Sequence, residues 1–176
     1  MGGRTGDGYA CQGNILAGPP VVDAMVRAFE ATQGRLAERM VEALRAGQRA
    51  GGDRRGQEGA GLVVARPGGG YGGNHDRAID LRVDHHDQPI EELAMLLDLH
   101  RLYFERPSDG EVLEAPDGSP IAEEIRANLA RLGKLQPGQD PWDALSAYMS
   151  RANLEERWVG RERVDPRVLE YLRQDR

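Results

Sequence analysis

The side chains with most chemical reach lie between Gly51 and Asp87. Gly52-Asp53-Arg54-Arg55-Gly56 sets a carboxylate beside two guanidinium groups, on a polar loop between a helix pattern and a strand pattern. Arginine offers a rigid fork of N–H donors, so Asp53, Arg54 and Arg55 are candidates for holding an anionic or polar group. The plainer alternative is a local salt bridge on an exposed loop. Next comes Pro67-Gly68-Gly69-Gly70-Tyr71-Gly72-Gly73, five glycines in seven residues. A run with so few side chains is a wide turn or a place where something approaches the backbone. Tyr71 and the pair His75-Asp76 stand at its far end, and His75-Asp76 has the residue types of a general base with an orienting carboxylate. No nucleophile is paired with it by sequence.

Asp84-His85-His86-Asp87 has metal-ligating residue types. Adjacent strand residues point to opposite faces, and no Cys or Glu-x-x-His partner follows, so a solvated strand end is expected and no metal. His100 falls on an apolar stripe and reads as a packed histidine, and Cys11 as a small buried hydrophobe. Trp142, Tyr148, Trp158 and Tyr171 could form a carbohydrate-stacking face, but a domain of about 70 residues needs its aromatics for a core first. No cofactor is expected.

Whole-chain properties narrow the partners. The chain has 176 residues, net charge −6 and pI about 5.3, which argues against a nucleic acid held by a general basic field. Lys134 is the only lysine, and Cys11 the only cysteine, which fits a reducing compartment. No apolar run reaches the ~18–20 residues of a membrane span, and MGGRTGDGYAC lacks a signal-peptide core. A cytoplasmic protein is expected.

These residues must be positioned by elements that the patterning predicts. Met1–Gly8 reads as a flexible lead-in and Tyr9–Leu16 as a strand. After Gly18-Pro19-Pro20 a helix carries Val21, Val22, Met25, Val26 and Phe29, with Gly34 as its stop. A second helix carries Leu36, Met40, Val41 and Leu44 and ends before Gly51. Leu62–Arg66 is a strand. In Arg77–Asp84, Ile79, Leu81 and Val83 alternate with polar residues, the period of a strand with one buried face. A third helix starts at Pro89, with Ile90, Leu93, Leu97, His100 and Phe104 along one stripe. Glu111–Gly118 reads as a short hairpin or extended connection. Ser119-Pro120, Asp140-Pro141 and Asp165-Pro166 are N-cap plus N1 pairs, each followed by a helical stripe. The expected class is α+β with antiparallel strands: residues 1–106 form one domain and 107–176 a small helical one.

Three stretches in order carry a family resemblance: Tyr9-Ala10-Cys11-Gln12-Gly13-Asn14-Ile15-Leu16-Ala17-Gly18, Gly52–Gly56 and Asp76–Asp84. They resemble an uncharacterised bacterial family, a domain of unknown function with the αββα fold of N-terminal-nucleophile (Ntn) hydrolases. The tail, including Asn153-Leu154-Glu155-Glu156-Arg157, is similar to the small domain named for peptidoglycan binding that accompanies many members. The resemblance implies that residues 1–106 match the C-terminal half of the Ntn-like domain, with no complete catalytic apparatus. Amide-bond hydrolysis is implied only if the other half is supplied. Asp53, Arg54 and the loop Gly72–Asp76 would then wall a substrate pocket. The other class of function is a non-catalytic binding protein whose helical tail recognises a peptidoglycan-like glycan or peptide. Half a sandwich leaves a sheet face open, so a homo-oligomer or a covering partner chain is expected.

Overall fold

The computed structural model describes residues 2–175. The chain divides into two compact units, Met1–Leu99 and His100–Arg176. The class is α+β, and every strand pairing is antiparallel.

In the first unit, strands β1 (Gly2–Gly6) and β2 (Tyr9–Gly13) form a hairpin. The expected flexible lead-in is therefore a strand over its described part, and Met1 lies outside the described residues. Four glycines in eight residues hide any side-chain alternation, but Asp7-Gly8 is a two-residue hairpin turn, with Gly8 at φ 73°. The hairpin is held on helix α1 (Pro20–Ala31) by side chains from alternate positions. Arg4 pairs with Asp23 at 3.0 Å, the Tyr9 ring packs on Phe29 at 5.1 Å, and Cys11 Sγ lies 3.7 Å from Met25 Sδ. Cys11 is only half-buried, because one face of a two-stranded ribbon cannot enclose it. Helix α1 ends at Ala31, with Thr32 turning to extended backbone, so the helix stops before Gly34.

Helix α2 (Leu36–Arg49), strands β3 (Ala60–Ala65) and β4 (Arg77–Val83), and helix α3 (Pro89–Phe104) follow. The core of this unit is built from α2, the β3–β4 hairpin and the first part of α3, around Ala37, Val41, Leu62, Ile79, Val83, Leu93 and Leu97. The alternation predicted for β4 is present: Ile79 and Val83 are buried while Arg77, Asp80 and Arg82 face solvent. The stripe predicted along α3 fails at its end, where Phe104 is 53% exposed and stacks at 5.2 Å on a half-buried His100.

The second unit holds strand β5 (Leu113–Glu114), helices α4 (Pro120–Arg131) and α5 (Pro141–Arg151), strand β6 (Arg163–Val164) and helix α6 (Pro166–Gln174). Of the two readings of Glu111–Gly118, the local hairpin does not form: Leu113–Glu114 is extended and pairs with β6, Leu113 opposite Val164. All three predicted caps form. Ser119 Oγ accepts the Ala122 N–H, Asp140 accepts those of Trp142 and Asp143, and Asp165 accepts that of Arg167. Ile125, Leu129, Leu145, Leu154, Val168 and Leu172 are buried together with Trp142 and Tyr148. Beneath them Arg157, 3% exposed, donates to the buried Asp165 carboxylate and to the carbonyls of Arg101 and Leu102.

Candidate functional site

The Asp53 loop is set by backbone pairing. The Ala17 N–H donates to Gly52 O and the Arg54 N–H to Ile15 O, both at 2.9 Å, and Leu16 bridges antiparallel to Asp53. This strand-like pairing puts successive side chains on opposite sides. Arg55 curls back on Asp53 through its own N–H at 2.8 Å and through Nε and Nη2 at 3.0 and 2.8 Å. The Arg55 guanidinium and N–H hold the Asp53 carboxyl down at about 2. Both Asp53 oxygens and the Arg55 fork are thus engaged with each other. The exposed Arg54 guanidinium has no partner among the described residues.

His75 and Asp76 do not act on one another. Asp76 Oδ1 accepts the Gly68 N–H at 3.0 Å, and His75 Nδ1 accepts the Arg77 N–H at 3.2 Å. The His75 ring lies so close over Gly70 that a Cβ there would come within 2.1 Å of it. The base-and-carboxylate reading is corrected: both side chains tie down the glycine-rich turn, and Tyr71 projects from it 67% exposed. His85 and His86 are exposed, and no group of three metal-ligating side chains occurs among the described residues.

Sequence reasoning passed over a cleft in the second unit. It has a volume of about 640 Å³ and is lined by Arg126 of α4 and by the segment from Leu135 to Pro141. That segment closes on itself, since the Gln136 N–H donates to Gln139 Oε1 and the Gln139 N–H to Gln136 O, both at 3.0 Å. Asp140 at its end is fully occupied. One oxygen caps α5 and the other takes Arg161 at 2.6 Å. Burial raises its pKa, but the N–H groups of Asp143 and Trp142 and the Arg161 guanidinium outweigh this and hold it below the ordinary value. Arg126 is different: its nearest carboxylate, Glu123, stands 3.8 Å away, and its side chain is 49% exposed. Among the described residues its only ion pair is this long one along its own helix. The composition signal that could have found the cleft is Gln136-Pro137-Gly138-Gln139, a polar turn between two helix patterns.

The aromatic face considered from the sequence does not form. Trp142 and Tyr148 are 2% and 4% exposed, while Trp158 and Tyr171 pack half-buried against the same core.

Fold and site together define an α+β protein of two units, the second a helical one with a polar cleft. The first 93 residues match the model of a family described as "Family of unknown function (DUF1028)", and the chain belongs to that family. Residues 99–172 match a second model, described as "Putative peptidoglycan binding domain". The chain is also similar to the crystal structure of protein SPO2555 from Silicibacter pomeroyi, which carries the same DUF1028 family. Identity is 28%, the TM-score is 0.50, and the match covers 59% of this chain and 42% of that one. This chain thus spans less than half of that solved protein's length. None of the curated proteins matches it. Among the described residues no helix is long and apolar enough to cross a membrane.

Proposed function

We propose that this chain is a recognition protein whose second unit holds a peptidoglycan-like ligand, carried beside a first unit built as part of an Ntn-hydrolase-like layered domain. The observation that carries the reading is the cleft between Arg126 and Pro141, which lies inside the stretch matched by the peptidoglycan-binding model. Its lining combines a solvent-facing cation, amide side chains and prolines, the mixture of polar anchors and apolar surface that small-ligand sites use. For the first unit, the resemblance to Ntn hydrolases rests on the three matched stretches around Gly13, Asp53 and Asp80. Cys11 lies against Met25, and burial pushes its pKa up, away from the reactive thiolate.

The test is co-sedimentation of the full chain with purified peptidoglycan sacculi, with the fluorescence of Trp142 and Trp158 as the reporter. The proposal expects saturable binding, weakened when Arg126 and Gln136 are replaced together by alanine. Protein that stays in the supernatant at every sacculus concentration would remove it.

A further inference from the structure

We propose that the cleft takes the peptide part of such a ligand, not the sugar, and that Arg126 clamps a peptide carboxylate. The inference rests on the peptidoglycan reading above and names what in that ligand the site recognises. Two independent observations carry it.

The first is what the cleft does not offer to a sugar. A pyranose is held largely by laying its apolar C–H face on an exposed aromatic ring. Both tryptophans and both tyrosines considered for that role have been drawn into the helical core, and none of them lines the cleft. The second is what the cleft does offer. Arg126 stands in it with only a long contact to Glu123, so its planar fork can take a carboxylate through two parallel N–H bonds. The competing acid at the rim, Asp140, already has its charge met by Arg161 and by the α5 N-terminus, so it does not compete for Arg126 or repel an incoming carboxylate as a free charge would. Gln136 keeps its side-chain amide free, and Gln139 keeps its NH₂ end free, among the described residues; these suit peptide C=O and N–H groups. Leu135 and Pro137 supply apolar surface beside them. A short, methyl-bearing, carboxylate-ended peptide matches each of these features.

The experiment is a set of calorimetric titrations of the full chain. The probes are an intact muropeptide, the free stem tetrapeptide, the same peptide with its carboxyl groups amidated, and peptide-free glycan strands from amidase digestion. The free tetrapeptide is expected to bind within a few-fold of the muropeptide. Amidation, or Arg126→Ala, is expected to weaken it by about tenfold or more, the usual effect of losing a charge-assisted pair, and Arg126→Lys to recover only part. Glycan strands that bind as well as the muropeptide, with Arg126→Ala unchanged, would overturn this inference and leave the peptidoglycan reading standing. Failure of all four probes and of whole sacculi would remove both.

Discussion

Replacing Arg157 by methionine should strongly destabilise the second unit, although the substitution keeps most of the side-chain volume. Arg157 and Asp165 are 3% and 2% exposed. The guanidinium donates to one Asp165 oxygen and to the carbonyls of Arg101 and Leu102, while the other Asp165 oxygen caps α6. Methionine would leave a buried carboxylate without its counter-charge and two carbonyls without a donor. Breaking a buried pair from one side costs about 3–5 kcal/mol. A unit of the length His100–Arg176 has a total stability of roughly 4–12 kcal/mol, so the loss takes a large part of it. The expected fall in Tm is at least about 12 °C. The chain's two tryptophans, Trp142 and Trp158, both lie in this unit, so tryptophan fluorescence during urea unfolding follows it alone. Asp165→Ser keeps a capping oxygen and removes the charge. The double variant Arg157→Met/Asp165→Ser should therefore be more stable than the sum of the two single losses implies, because no charge is stranded. A single Arg157→Met variant within about 1 kcal/mol of wild type, or strictly additive losses, would refute the reasoning.

Two further outcomes follow from the same geometry. The Asp53 carboxyl, held at about 2 against an ordinary 3.8, has a depressed folded value. Its pairing therefore contributes stability above the ordinary value, which is lost as pH falls through about 2. An NMR carboxyl titration should find that low midpoint and should see it return toward the ordinary value in Arg55→Ala; an unchanged midpoint would mean that Arg55 is not its cause. Ser119→Ala removes the oxygen that accepts the Ala122 N–H at 3.2 Å and should cost about 1 kcal/mol in urea unfolding, with Ser119→Asp retaining most of it. Equal losses for the two variants would show that the cap contributes through something other than that oxygen.

What is local along the chain can be read from its residues in order. A cap oxygen and the N–H groups it serves lie two or three residues apart, so Ser119-Pro120, Asp140-Pro141 and Asp165-Pro166 announce their helices whatever surrounds them. The burial of alternate β4 residues is likewise written in its period of two, and residues 1–93 match the family model. The remaining features depend on contacts between distant parts of the chain. Strand β1 is almost featureless in side chains, so only its register on β2 and the hold of Arg4 on α1 reveal it. Leu113 finds Val164 across some fifty residues, a pairing that no local pattern encodes. His75 and Asp76 are neighbours in the chain, yet each spends its side chain on a different backbone N–H of the turn. Arg126 is one of many arginines along the chain. It becomes the cation of a cleft only because folding brings the Leu135–Pro141 turn against it and commits Asp140 to Arg161.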